Sequence, residues 1–295
     1  MSTSIDGRLG VCTSWIPLES GDMLEAIGRA RGAGMKAVEV VSFMSTGHSG
    51  YPVHRRVAGL DMDSLDGKVR DEIAQACSEF DAVTVHTGGN GLNLAENNSG
   101  IRRESVRQCF QAIEFAQAIG ASVMTFHPGQ YTKPVMPRKV AVERNVEFGT
   151  RAADLAERYG LQVGFEDMGD GLGNHLEFLA EIIAGIGSER FGLLFDVGHA
   201  SMLRSPHPYK WLREFAGRIV QMHLHGSFYR SDRGVETHMP LEFEDCLDLA
   251  DLFERVHKSG FAGPMIFEII APSAELYLER ANQGKEIVKR LWPGS

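Results

Sequence analysis

The chain has 295 residues, 43% of them hydrophobic and 23% charged, a balance that buries a substantial core and excludes disorder as the main state. Its 30 basic against 39 acidic residues leave a formal charge of −9 with no basic tail or stripe, which disfavours nucleic acid as a partner. The four cysteines contain no CxxC pair, no run of about 18 apolar residues occurs, and the N-terminal segment lacks a basic stretch followed by an apolar one, so neither a disulfide scaffold, a membrane span nor export is indicated and a cytoplasmic setting is expected.

Short apolar runs rich in Val, Ile and Phe alternate with segments of helical periodicity. Leu9–Trp15 is the first predicted strand, followed by a helix over Met23–Gly34, and Ala37–Phe43 is the second, followed by Gly67–Phe80. Ala82–Gly88 then precedes Ile101–Gly120, and Val123–Gly129 precedes Arg138–Gly160. In the second half Gln162–Met168 leads to His175–Gly187, Phe191–Val197 to Pro208–Ala216, Ile219–Gly226 to Phe243–Gly260, and Pro264–Ile270 to Ala274–Leu291. Gly34, Gly120, Gly160 and Gly260 each close a helix just before a strand, the usual place for a left-handed cap.

Continuous apolar strands suit a parallel sheet covered on both faces. Repeated strand and helix alternation over residues 1–295 predicts one α/β domain, a closed (β/α)8 barrel, with an open doubly wound sheet as the alternative. The longer connections, Met44–Asp66, Asn90–Gly100 and Ser227–Leu241, all follow strands and so collect on the C-terminal face, where such barrels carry their chemistry.

What ends each strand is the informative feature. The third ends in VTVHTGG with His86, the fourth in FHPGQ with His127, and the fifth in GFEDM with Glu166. The sixth runs FDVGHA with Asp196 and His199, the seventh QMHLHG with His223 and His225, and the eighth MIFEII with Glu268; ETH in the loop after the seventh adds Glu236 and His238. A single histidine at such a place is ordinarily a hydrogen-bonded structural group. Six successive strands ending in imidazole or carboxylate share no structural reason for that register, whereas a cation on the barrel axis draws them all to one point. Imidazoles and carboxylates without thiolate suit a divalent transition metal, zinc, manganese, cobalt or iron, in one to three ions; calcium and magnesium favour all-oxygen shells.

These strand ends resemble those of the xylose-isomerase-like TIM barrels, a superfamily holding sugar isomerases and epimerases together with the endonuclease IV type of abasic-site nuclease, AP endonuclease family 2. The resemblance covers nearly the whole chain and is strongest from Ala82 to Ile270. For the epimerase branch it implies one divalent ion held by Glu166, Asp196, His223 and Glu268, proton exchange by the two glutamates, and substrate contact by His199. For the nuclease branch it implies up to three zinc ions held by His86, His127, Glu166, Asp196, His199, His223, His238 and Glu268, with Glu236 standing where that branch has an aspartate. The chain departs from the nuclease pattern in GVCTSW at the first strand, in SFMSTGHSGYP after the second, and in MPLEFED beyond the ETH motif. The second strand, KAVEVVSF, resembles the sugar branch in carrying Glu39, for which an ion pair in the barrel base is an equal account.

The function expected is therefore a metal-dependent isomerase or epimerase of a small sugar-like substrate. Glu166 or Glu268 takes a proton, the other returns it through a metal-stabilised enediolate, and His199 orients a hydroxyl. Two rivals stand beside it: zinc-dependent hydrolysis of abasic DNA, and a non-catalytic sugar-binding barrel that retains its metal. Arg230, Arg233 and Lys133 are rim cations suited to a phosphate or sugar acid, or simply solvated; His48, His54, His175, His207 and His257 receive no role. A homo-oligomer is compatible with each reading.

Overall fold

The computed structural model describes residues 4–42, 58–87, 91–130, 136–169, 171–202, 207–232 and 234–294. The apolar runs form β1 (Leu9–Cys12), β2 (Ala37–Ser42), β3 (Ala82–Thr87), β4 (Val123–Phe126), β5 (Gln162–Glu166), β6 (Phe191–Asp196) and β7 (Ile219–Leu224), then, beyond a hairpin of β8 (Gly226–Arg230) and β9 (Gly234–Met239), β10 (Met265–Phe267). All but the hairpin join one closed barrel in the order β1-β10-β7-β6-β5-β4-β3-β2, every neighbouring pair parallel, so the closed form and not the open sheet is realised. Almost every residue of the barrel strands is buried, because helices cover the outside while side chains fill the inside.

The helices are α1 (Met23–Gly32), α2 (Gly67–Cys77), α3 (Ser99–Ala118), α4 (Arg138–Tyr159), α5 (Leu176–Ile186), α6 (Val197–Met202), α7 (Pro208–Glu214), α8 (Leu249–Lys258) and α9 (Ala274–Leu291). Side chains of Asp22, Asp66, Asn98, Asp248 and Ser273 accept the first free amides of their helices. The four glycines expected as caps have φ of 77, 73, 71 and 78° at Gly34, Gly120, Gly160 and Gly260, a conformation that costs other residues strain.

The first strand ends at Cys12 and gives way to a 3-10 turn over Thr13–Trp15, the fourth and eighth strands end three residues early, and three further elements differ from the sequence reading. The loop expected over Ser227–Leu241 is largely the β8–β9 hairpin, whose outer strand is half-buried at every position and so shows no apolar alternation to read. The helix expected over Phe243–Gly260 begins only at Leu249, because the Glu244 carboxylate takes the amides of Ser227, Cys246 and Leu247 and holds that segment against the hairpin. Helix α6, too short to show a period, starts directly after Asp196. The expected rim cations Lys133 and Arg233, and His48 and His54, for which no role is expected, lie outside the described residues.

The segment after β4 is fixed from two sides. Gly129 exchanges hydrogen bonds with the buried Asn145 side chain, and a Cβ at Gly129 would come within 2.3 Å of the Ala95 nitrogen. All four cysteines are free, and no helix among the described residues is long and apolar enough to cross a membrane.

Candidate metal centre

Several strand ends converge at one mouth of the barrel. Glu166 and Asp196 are the last residues of β5 and β6, His86 lies one residue before the end of β3, and His127 and Glu268 follow β4 and β10 directly. His223 lies inside β7, and His199 is carried on α6. Period-two alternation aims the strand residues at the axis, while the turn into α6 brings His199 back over the mouth.

The centre is organised around His223 Nδ1. It stands 3.4 Å from Glu166 Oε1, 3.6 Å from Asp196 Oδ2 and 3.5 Å from Glu268 Oε2, and is itself buried without an aligned hydrogen bond. The other ring nitrogen, Nε2, lies 3.1 Å from Glu39 Oε1 deep in the barrel, where Thr84 and Gln221 also hydrogen-bond to that carboxylate. A proton on Nε2 toward Glu39 leaves the Nδ1 lone pair facing three carboxylate oxygens, an arrangement that repels unless a cation lies between them. Donors about 2.1 Å from one cation stand about 3.0–3.4 Å apart, close to the separations found. The residues present therefore fit a divalent ion, and Glu39 has a definite task as the orienting partner of His223.

Without that cation a proton takes its place. Burial disfavours a charged His223, yet Glu268 and Glu39 outweigh it and hold its pKa well above the ordinary imidazole range. Burial pushes Glu268 up to about 8, and although His223 opposes this, Glu166, Glu39 and Asp196 reinforce it. Burial would also raise Glu39, but His223 wins there and brings it down to about 2. The hydrogen bonds of His127, His199 and His223 likewise overcome burial at Glu166, leaving it well below the usual carboxylate range.

A second donor group shares Glu166. Its Oε2 lies 3.0 Å from His127 Nε2 and 3.3 Å from His86 Nε2, and the two imidazole nitrogens are 3.1 Å apart. Thr125 hydrogen-bonds His86 Nδ1 at 2.9 Å. His199 Nδ1 completes the cluster, 3.4 Å from Glu166 Oε1 and 3.6 Å from Asp196 Oδ2, although it also lies 2.9 Å from the Asp167 carbonyl.

Two expected residues are not drawn in. Glu236 faces Arg230 across the hairpin at 3.4 Å, and the His238 ring stacks on His225 with Nδ1 3.2 Å from the Glu268 carbonyl, so neither shares a compact donor group with His199 among the described residues. The sequence reading contains no task for Asp167, whose Oδ1 accepts the Asp196 amide at 2.6 Å, and places His225 only as a strand-end residue sharing a face with His223. A groove of about 650 Å³ between α3 and α4, lined by Arg102, Arg103, Arg144, Arg151, Phe110 and others, contains none of these donors.

Comparison with known proteins agrees with this architecture. An uncharacterized protein of Methanocaldococcus jannaschii is 27% identical over 213 residues, 70% of this chain and 69% of that one. A D-tagatose 3-epimerase-like protein superposes with a TM-score of 0.74 at 22% identity, covering 96% of each chain. D-psicose 3-epimerase from Clostridium cellulolyticum H10 gives 0.71 at 14% identity over 96% of this chain and 98% of that one. The IOLI protein with a bound zinc atom gives 0.73 at 15% identity over 97% and 100%. Residues 27–291 match the family model of the xylose isomerase-like TIM barrels, and the chain belongs to that family.

Proposed function

We propose that the protein is a divalent-metal-dependent isomerase or epimerase of a small sugar-like hydroxycarbonyl compound, the ion being zinc, manganese or cobalt. The observation that carries this reading is the pair Glu166 and Glu268. They come from strands separated by β6 and β7 around the barrel, and both reach the same His223 nitrogen, at 3.4 and 3.5 Å. Glu166, Asp196, His223 and Glu268 hold the ion, which when bound supplies Lewis-acid stabilisation to negative charge developing on substrate oxygens. Glu166, held as a carboxylate, removes the proton from a carbon beside the carbonyl. Glu268, on the other side of the mouth, delivers one taken up from solvent to the opposite face or to the neighbouring carbon. His199 keeps a hydroxyl oriented over Glu166. The sugar 3-epimerases among the structures of like fold support the choice of substrate class.

A second reading, metal-assisted phosphodiester hydrolysis, is favoured by the His86–His127–Glu166 triangle, which would hold another divalent ion. The Arg230 pairing of Glu236 and the charge of −9 count against it. Chelator-treated protein, restored with each metal in turn, separates the two: the isomerase reading expects turnover of a ketose, sugar phosphate or inositol-like ketone only when metal is present. Failure on the whole panel together with cleavage of an abasic duplex would establish the hydrolase in its place. Elemental analysis adds the ion count per chain, one favouring the isomerase and three the nuclease.

Metal uptake is expected to release protons and strengthen with pH. The metal-free protein keeps Glu268 protonated up to about 8, above its ordinary 4.5, so the stability this group contributes is full below about 4.5 and is lost as pH rises through 8. A bound ion replaces that proton. The gain in Tm on adding zinc should therefore grow between about pH 5 and 8; a gain that shrinks over that window would contradict the assignment of Glu268 as a ligand.

A further inference from the structure

His225 is wholly buried yet belongs to no compact donor group among the described residues, and its ring makes two directed hydrogen bonds to groups of opposite kind. Nδ1 lies 2.8 Å from the backbone nitrogen of His238, on the hairpin strand β9. A backbone N–H only donates, so Nδ1 carries the lone pair and a neutral ring holds its proton on Nε2. That nitrogen lies 2.9 Å from Asp196 Oδ1 and 3.2 Å from Oδ2. Asp196 Oδ1 also accepts the His199 amide at 2.7 Å, which satisfies it from two sides and leaves Oδ2 turned toward His223.

The surroundings hold this arrangement tightly. The His225 and His238 rings stack at 4.1 Å and Trp15 stacks on the far side of His238 at 4.4 Å. His238 adopts a left-handed backbone, φ 57°, an unusual conformation for a residue other than glycine, and this accompanies the amide's approach to His225. Its carbonyl accepts the Ile270 amide at 2.7 Å, two residues beyond Glu268. On the opposite side, a Cβ at Gly198 would lie 1.7 Å from His225 Cε1, so only glycine leaves room for the ring.

We infer that His225 is a positioning residue that locks the β8–β9 hairpin to the ligand-ready carboxylate of Asp196, so that a docked hairpin and an oriented metal ligand are one state. The inference rests on the metal reading above. It assigns His238 to the site through its backbone amide, which fixes the His225 tautomer. Asp196 then presents Oδ2 to the ion without reorganising, and hairpin displacement and metal release favour one another.

Two substitutions divide the two bonds. In His225→Gln the amide nitrogen takes the place of Nε2 and still donates to Asp196, but no acceptor faces the His238 amide. In His225→Asn the side-chain oxygen takes the place of Nδ1 and keeps the His238 amide, while the donor to Asp196 is lost. Zinc affinity by competition with a chromophoric chelator, and amide exchange of the hairpin peptide around His238, are measured on both variants and on His223→Ala. The expected result is a split: His225→Asn loses about 10–100-fold in zinc affinity with a protected hairpin, and His225→Gln keeps zinc affinity within a few-fold with faster exchange at the hairpin. Equal behaviour of the two variants, whether both native-like or both weakened in proportion to lost thermal stability, would show a merely structural histidine and overturn the inference. If instead wild type and His223→Ala take up zinc equally, the metal reading itself fails and this one falls with it.

Discussion

Glu166→Gln and Glu268→Gln should each fold with near-native thermal stability and each lose at least about 10²–10⁴-fold in turnover, the range that general acid–base catalysis contributes. The amide keeps the shape of the carboxyl and its fit in the buried wall but neither accepts nor delivers the proton. Glu268 makes the cleaner case for folding, because burial and its acidic neighbours already push it up to about 8, and a neutral side chain replaces a group that the metal-free fold prefers neutral. Glu166 stands among four imidazoles, so its replacement also removes a charge that they compensate, and metal loss adds to the kinetic effect. The variants differ in what survives. With Glu166 intact, Glu268→Gln should still exchange the substrate C–H with deuterated solvent while forming no epimer; Glu166→Gln should do neither. Undiminished turnover in either variant would remove that residue from the chemistry.

The second large effect is expected at the ligands without a proton-transfer role. Asp196→Ala and His223→Ala should each lower metal content per folded chain sharply, from stoichiometric to a small fraction after gel filtration, because each removes a charge-matched donor from a buried cage that water fills poorly. His223→Ala also leaves Glu39 buried without its imidazole partner at 3.1 Å, so a loss of thermal stability beyond that of metal removal alone is expected. Elemental analysis of both proteins checks the result, and full occupancy in both would place the ion elsewhere.

The convergence at the barrel mouth was legible because a parallel barrel converts position along each strand into height above the base. Glu166 and Asp196 at the ends of apolar runs, with His86 and His127 at neighbouring ends, needed only that rule. What it leaves out is contact across the barrel. Glu39 and His223 are separated by 184 residues and meet inside the closed sheet, where only β1 and β10 lie between β2 and β7, which no local pattern encodes. Glu236 illustrates the converse. Its place after the seventh strand matches a ligand position in sequence, but the antiparallel register of the hairpin sets Phe228 opposite Glu236 and brings Arg230 within reach, so a neighbouring cation takes the carboxylate. His225 was unassigned for a related reason: its partner is fixed by the tight turn from Asp196 into α6 and by the missing side chain at Gly198, both invisible to apolar periodicity.

Metal-dependent proton transfer at a substrate carbon is read directly by solvent isotope exchange. Wild-type protein is stripped with chelator, restored with manganese, cobalt or zinc, and incubated in deuterated water with a panel of ketohexoses and ketopentoses while proton NMR follows the hydrogens beside the carbonyl. Loss of one such signal together with appearance of the epimer or isomer is expected, only in the metal-restored protein. No exchange with any sugar under any of the three metals, alongside metal-dependent cleavage of an abasic duplex by the same preparation, would contradict it.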